Sequence, residues 1–437
     1  MARQNIPGVA IGIFKNGEVL RAQGYGLANV EHRVPVKPET MFQTASIGKM
    51  FTATAVMLLV EDGKLELDAP LTSYLPDAPE SWRAISLRHL LNHTSGIGYP
   101  ALDYKKDYSD DELLKLIYAA KPDFAPGQRW SYSNPGYMTA GIIVGKVSGQ
   151  HYSELLQERV FKPSGMNSAR RLSHIDLVSD RAAGYELVRE GEGKDAPLVL
   201  KNQDWVSVTL NSTADGSLQM SVLDFARWDG AVASRGVLKG ESWQQMLKPA
   251  PLNNGSTYDY GFGWFLSDAT APRYIGHSGA WQGFRSDYRR YDEDGVSFVV
   301  LANTDRASVG AMLEGIAERF DSRYKPAPEV LIEDKRPALT RSLADALQAV
   351  SDGKTADHPM LGALPPEWRE RMLEVMSSTL KEAGTCPAPM ELVSEKPNGD
   401  QLSRTYLNRC ANGTLRMSPV FNEQGQIVRA RLVLEKP

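Results

Sequence analysis

Thr40-Met-Phe-Gln-Thr-Ala-Ser46-Ile-Gly-Lys49-Met-Phe-Thr-Ala-Thr-Ala-Val-Met-Leu-Leu-Val-Glu-Asp62-Gly63 is the stretch on which the reading of this chain turns. Its first residues read as a short strand. The apolar run from Met50 to Val60 reads as a helix closed by Asp62-Gly63. Ser46 and Lys49 stand three apart at the front of that helix, on one face. A serine hydroxyl is a weak nucleophile until a base takes its proton. A lysine becomes such a base when burial or neighbouring positive charge lowers its pKa. A helix N-terminus adds the positive end of the helix dipole. Ser46-Ile-Gly-Lys49 therefore outlines an acyl-transfer site.

The bare pattern is not specific. Ser-x-x-Lys also occurs at Ser322/Lys325, Ser351/Lys354 and Ser378/Lys381. Only the first copy follows a strand-like entry and opens a long run of helix formers. The other three read as solvated surface pairs.

The bulk composition bounds the alternatives. The chain has 437 residues, which is two or three domains' worth of length. It is 42 % apolar and 23 % charged, as expected of a globular protein. A net charge of −4 with no lysine/arginine cluster gives nucleic acid no electrostatic footprint. The longest apolar stretch, around 53–60, is too short for a transmembrane segment. No signal peptide is visible, although the abrupt start before Ile6-Pro-Gly makes that weak support for a cytoplasmic location. The two cysteines, Cys386 and Cys410, fit either a disulfide or two separate thiols, and neither has metal-ligand spacing.

The organisation reads as strands, then helices, then strands. Residues 6–14 and 18–26 form a hairpin around Asn16-Gly17. A mainly helical subdomain spans about 75–240, with helices in Arg88–His93, Asp111–Ala120 and Gly136–Val147. Strands are predicted at Tyr260–Phe265, Arg273–His277, Gly283–Tyr291 and Val296–Ala302, followed by a helix near 307–321. The expected fold class is α/β (α+β): an antiparallel sheet flanked by helices, with a helical insertion. The expected domains are 1–323, a linker at 324–330 around Pro326-Ala-Pro, and an accessory α+β domain at 331–437. In the last, Trp368, Met372, Val375, Met376 and Leu380 make a helical stripe, followed by four strands.

Three further features follow Ser46 in order. Tyr132-Ser-Asn134 precedes a helix. Its phenol can relay a proton, and its amide can hold the lysine and a substrate amide together. Taken alone it also reads as a turn tyrosine beside a helix cap, and Tyr-x-Asn recurs at Tyr406/Asn408. His277-Ser278-Gly279 ends a predicted strand whose edge can pair with substrate backbone and supply an oxyanion N–H. His89-x-x-x-His93 has zinc-binding spacing but lacks a metalloprotease glutamate and a third ligand, so a helix-terminus role is the better reading. Tyr99, Tyr258, Trp264 and Trp281 are cleft candidates for which core packing is the stronger reading.

With these stretches go Ile6-Pro-Gly, Gly24-Tyr-Gly, Glu61-Asp-Gly-Lys-Leu-x-Leu-Asp68, Leu90-Leu-Asn-His-Thr-Ser-Gly96, Tyr260-Gly-Phe-Gly-Trp264 and Gly276-His-Ser-Gly-Ala-Trp-Gln-Gly-Phe284. Over about residues 6–322 the chain resembles the serine hydrolases related to class C β-lactamases, D-alanyl-D-alanine carboxypeptidases and family VIII carboxylesterases. The resemblance implies Ser46 as nucleophile, Lys49 as general base and Tyr132 as a partner in proton transfer. It implies Asn134 as orienting residue, His277, Ser278 and Gly279 as substrate-binding, and the N–H groups of Ser46 and Ala280 as the oxyanion hole. It implies no metal or cofactor, a small-molecule or short-peptide substrate, and a periplasmic or secreted location, with cytoplasm the alternative. Oligomeric state is not read from the sequence.

Where the β-lactamase triad has a lysine, this chain has His277. A histidine is largely neutral at pH 7, which favours peptidase-like or esterase-like activity over β-lactam hydrolysis. The alternatives are a penicillin-binding-type sensor that acylates and turns over poorly, and an inactive scaffold.

Overall fold

The computed structural model describes residues 5–191, 197–267, 272–355, 358–364, 366–387 and 389–435. The chain divides into two compact units. The first comprises 1–127, 131–250 and 259–327; the second comprises 128–130, 251–258 and 328–437.

The first unit is built on a seven-stranded antiparallel sheet. Its strands are β1 (Gly8–Lys15), β2 (Glu18–Asn29), β3 (Val34–Pro35), β4 (Phe265–Leu266), β5 (Ile275–Trp281), β6 (Phe284–Tyr291) and β7 (Val296–Ala302). Their order is β4-β5-β6-β7-β1-β2-β3. The N-terminal hairpin therefore joins the C-terminal strands through β1 and β7, with Val9 opposite Ala302 and Ile13 opposite Phe298. β1 and β7 are apolar on both faces, as central strands covered on both sides must be. Val9, Ile13, Phe298 and Val300 pack on one side with Leu313 and Ala317 of helix Val309–Phe320. Ala10, Phe14, Val299 and Leu301 face the large core on the other side.

That large core is centred on α1 (Gly48–Glu61), in which 12 of 14 residues are buried. A helix apolar all round is a core helix. Around it lie α2 (Leu87–Leu91), α3 (Asp110–Ala119), α4 (Asn134–Ser148), α5 (Tyr152–Leu156), α6 (Val222–Ala233) and α7 (Gly240–Met246). The helix Val309–Phe320 on the opposite sheet face is α8. Expectation and structure differ at Tyr260–Phe265, where only Phe265 enters a strand and Tyr260 meets Phe265 as an isolated bridge. The segment turns instead. Gly263 has φ +80°, and a Cβ there would lie 2.6 Å from the Lys49 carbonyl oxygen. Close approach to α1 takes precedence over strand pairing.

A buried ion pair ties α6 to the sheet. Asp229 accepts hydrogen bonds from Arg290 (2.7 Å), the Tyr288 hydroxyl (3.1 Å) and Ser297, and its other oxygen accepts the Gly17 N–H of the β1–β2 turn at 2.8 Å.

The second unit has a four-stranded antiparallel sheet, β8 (Glu391–Asn398), β9 (Gln401–Cys410), β10 (Gly413–Phe421) and β11 (Ile427–Glu435), in sequential order. It also has helices α9 (Pro337–Ser351) and α10 (Pro366–Ala383). Leu343, Leu347, Met376, Tyr406, Leu415 and Ile427 share its core. On α10, Met372, Met376 and Leu380 face that core, but Val375 is 54 % exposed and is not part of the stripe. The Trp368 side chain lies outside the described residues. Cys386 and Cys410 form a disulfide, and buried Arg404 is paired with Asp334 (3.0 Å) and with Glu395. Among the described residues no helix is long and apolar enough to cross a membrane.

Candidate active site

Ser46 lies in a short 3-10 turn, Ala45–Ile47, that runs directly into α1. The preceding Ala45 has φ +49°, a left-handed backbone that is unfavourable for a residue with a Cβ. It is held there by β5. Gly279 crosses so closely that a Cβ on it would lie 2.1 Å from the Thr44 carbonyl and 3.1 Å from Ala45 Cβ. The same Thr44 carbonyl accepts the Ser286 hydroxyl of β6 at 2.7 Å. Strain of this kind, of order 1–3 kcal/mol, persists only where the surroundings fix it.

Lys49 is buried one turn on. Its Nζ donates to Ser46 Oγ (3.2 Å), Asn134 Oδ1 (2.8 Å) and the Asp215 carbonyl (2.5 Å). Burial lowers its pKa from 10.5 to about 8, and the nearby Asp215 charge partly opposes the fall. A neutral amine keeps two N–H donors, matched by the two carbonyl acceptors. Its lone pair is then left facing Ser46 Oγ, the geometry of a base poised on its nucleophile.

Tyr132 and Asn134 reach this point because α4 starts there. The Ser133 hydroxyl caps the helix by accepting the Gly136 N–H at 3.1 Å, and Pro135 occupies its first turn. Lys49 Nζ lies 4.9 Å from the Tyr132 ring centre. Burial pushes the Tyr132 phenol well above 10, against a hydrogen bond with Ser46 that lowers it. The phenol is therefore protonated near neutral pH, and Lys49 is the group closer to proton exchange.

His277, on β5, is buried and lies at one end of a hydrogen-bonded chain. The Ser133 N–H donates to His93 Nδ1 (3.1 Å), so a neutral His93 carries its proton on Nε2, 3.1 Å from the Tyr260 hydroxyl. The Tyr260 hydroxyl is 3.1 Å from His277 Nε2, and His277 Nδ1 is 2.6 Å from the Ser278 carbonyl. The carbonyl requires a proton on Nδ1, so the neutral ring accepts from Tyr260 at Nε2. Burial and the Lys49 charge hold His277 at about 3 and put His93 well below its usual value. The ring is thus neutral across the physiological range.

Ser278 and Ala280 are exposed on β5, whose edge β4 pairs only at Ile275 and Gly276. Ala280 and Ser46 line one cleft with Tyr99, Asn134, Asp215 and Trp281.

Residues 1–319 match the family described as Beta-lactamase. The chain belongs to the Beta-lactamase family. It is 30 % identical over 344 residues to penicillin-binding protein 4* of Bacillus subtilis, covering 75 % of this chain and 76 % of that one. It is 29 % identical over 422 residues to a D-aminopeptidase of Gluconobacter oxydans, covering 92 % and 76 %. The crystal structure of a penicillin-binding protein from Bacillus halodurans superposes with a TM-score of 0.63 at 26 % identity, covering 72 % of this chain and 97 % of that one. The chain is accordingly a serine hydrolase of the Beta-lactamase family, with an antiparallel-sheet fold of that type.

Within this Beta-lactamase-family site, several residues were not legible as site residues. Tyr99 and Trp281 line the cleft, and Trp281 also packs against the large core. The Tyr99 hydroxyl donates to the Tyr132 carbonyl (3.1 Å) and accepts the Asn134 N–H (3.2 Å). Trp264 is core, and Tyr258 stacks on Trp130 in the second unit. His93 and Tyr260 sit in two of the stretches that carry the family resemblance, but only folding shows that they meet. His89 does not join His93: its Nδ1 is 3.1 Å from the Ser86 hydroxyl and accepts the Ser86 N–H at the start of α2. Asp215 had no sequence signal at all.

Proposed function

We propose that Ser46 is the nucleophile of an amide- or ester-cleaving reaction that passes through an acyl-enzyme. Lys49 takes the Ser46 proton as Oγ attacks the carbonyl carbon. Lys49 and Tyr132 then return a proton to the leaving amine or alcohol. Water, deprotonated by the same group, releases the acyl product and restores Ser46. Asn134 orients Lys49 and the substrate amide. The N–H groups of Ser46 and Ala280 receive the developing oxyanion, where loss of one donor costs about 2.7–4 kcal/mol. The His277-Ser278-Gly279 strand lies along the substrate.

The observation that carries this reading is the Lys49 amine, 3.2 Å from Ser46 Oγ with its pKa brought down to about 8. Small amides or short peptides containing D-residues are the favoured substrates, in keeping with the D-aminopeptidase relative, and simple esters come next. β-Lactam turnover is weak or absent, because neutral His277 offers no fixed cation to a carboxylate. The test is hydrolysis of a D-alanine anilide, a short-chain nitrophenyl ester and a cephalosporin by wild type and Ser46→Ala. The first two are cleaved and the activity disappears in the variant; inertness toward all three in folded protein rejects the reading.

A second reading draws on the penicillin-binding relatives: a protein that acylates and barely deacylates. A stoichiometric burst with negligible steady turnover would select it. For location we propose the periplasm or exterior, which the Cys386–Cys410 disulfide supports. Recovery of the protein from cells with both thiols free would oppose it.

A further inference from the structure

The cleft beside Ser46 has an unusual charge balance. Among the described residues that line it, Asp215 is the only one with an ionisable carboxylate or cationic group. The rest of the wall is aromatic, aliphatic or neutral polar, including Tyr99, Tyr104 and Trp281. Asp215 is half-buried, and its Oδ1 accepts the Thr213 hydroxyl at 2.6 Å, which holds the carboxylate in place. The phenols of Tyr99, Tyr104 and Tyr132 all feel its negative charge. Lys49, on which the Asp215 charge acts, is bonded to the Asp215 backbone carbonyl and is occupied with Ser46 and Asn134. The histidine that could have supplied a positive charge, His277, is locked neutral by Tyr260 and the Ser278 carbonyl.

We propose that Asp215 binds the α-ammonium group of the substrate, so that the enzyme acts on acyl donors with a free amino terminus: amino-acid amides and esters and the N-terminal residue of short peptides. The proposal deepens the Ser46 reading and rests on it. An α-amino nitrogen lies about 2.5 Å from its own carbonyl carbon, two bonds away. Its anchor must therefore sit within a few ångströms of the nucleophile. Asp215 lines the same cleft as Ser46, its charge acts on Lys49 and on the Tyr132 phenol, and its main-chain carbonyl is one hydrogen bond from Lys49, itself one from Ser46. An ammonium placed there gains a charge-assisted hydrogen bond. The aromatic wall, where the Tyr104 and Trp281 rings are 6.2 Å apart, adds cation–π attraction and apolar contact for the side chain.

The experiment uses the full chain and two paired probes, D-phenylalanine p-nitroanilide and its N-acetyl derivative, with p-nitrophenyl butyrate as a neutral ester. The readout is the ratio of kcat/KM for the free over the acetylated anilide within each protein, which is insensitive to the amount correctly folded. Wild type should prefer the free amine by about tenfold or more, and Asp215→Asn should bring the ratio close to one. Binding of D-phenylalaninamide and its N-acetyl derivative to Ser46→Ala, measured by calorimetry, should show the same preference without chemistry. A ratio near one in wild type, a ratio unchanged in Asp215→Asn, or equal binding of the two amides overturns the proposal. So does failure of both anilides alongside Ser46-dependent hydrolysis of the butyrate, which leaves the serine-hydrolase reading standing. Butyrate hydrolysis that persists in Ser46→Ala strikes the Ser46 reading instead, and the calorimetry still decides Asp215.

Discussion

Two buried charges in the first unit are solvated in opposite ways. Asp229 and Arg290 neutralise each other at 2.7 Å, and their remaining atoms are taken up by Tyr288, Ser297, Gly17, Asn16 and Asp292. Lys49 is equally buried but is met by a hydroxyl, an amide oxygen and a peptide carbonyl, all uncharged. The first arrangement fastens α6, β6 and β7 to the hairpin turn. The second destabilises the ammonium and brings its pKa to about 8. Comparable burial therefore yields a fastening in one place and a proton acceptor in the other, and the partner decides which.

Substitutions can break this contrast. Lys49→Met removes the base and should lower kcat/KM on an anilide by about a hundredfold to ten-thousandfold, with no loss of thermal stability. Arg290→Met leaves Asp229 buried without its counter-charge. It should cost about 3–5 kcal/mol in denaturant unfolding, with kcat per folded molecule nearly unchanged. A large loss of stability in the first variant, or of turnover in the second, would erase the distinction.

pH sharpens it. The Lys49 base must be neutral, so kcat/KM should rise with pH through about 8 and then level off. The stability consequence has the same origin. The folded pKa lies below the unfolded value of 10.5, so between about 8 and 10.5 the unfolded chain binds the extra proton. Stability from this group therefore increases across that window and is lowest below it. The fall from 10.5 to about 8 corresponds to about 3 kcal/mol. That difference should vanish from the pH profile of Lys49→Met. The smallest effect is expected at Tyr99→Phe, which deletes one hydroxyl between the Tyr132 carbonyl and the Asn134 N–H. A loss of about 0.5–1.5 kcal/mol should read as a few-fold to tenfold lower kcat/KM with no change in the pH midpoint.

Local sequence made much of this legible. The Asn16-Gly17 turn, the largely apolar α1, the Ser133-Asn-Pro135 helix start and the strands β5 to β7 are each written within a dozen residues or so. Ser46 and Lys49 share one helix turn, so their proximity follows from periodicity alone. Tyr132 and Asn134 join them only through the packing of α4 on α1, and their motif was informative because it accompanied the others. Asp215 reaches Lys49 through a backbone carbonyl, which no side-chain pattern can announce. Tyr260–Phe265 alternates like a strand, but its shape is dictated by contact with the Lys49 carbonyl. Val375 fits the helical stripe by spacing, yet neighbouring elements leave it in solvent.

The crossing of β5 over Ala45 bears on how such an enzyme can be re-engineered. Gly279 and Gly263 each bring a main chain within a methyl group's width of residues 44–49, and Ala45 sits in a backbone conformation that a larger side chain could not relieve. Random mutagenesis of these positions will mostly yield inactive protein. The part of the cleft wall formed by Tyr104, Leu210 and Trp281 borders the same nucleophile and is separate from Tyr99 and Asp215, whose hydrogen bonds hold Tyr132, Asn134 and Lys49. New substrate preferences are therefore accessible by diversifying that wall, and a library confined to it samples specificity while the nucleophile turn is inherited unchanged.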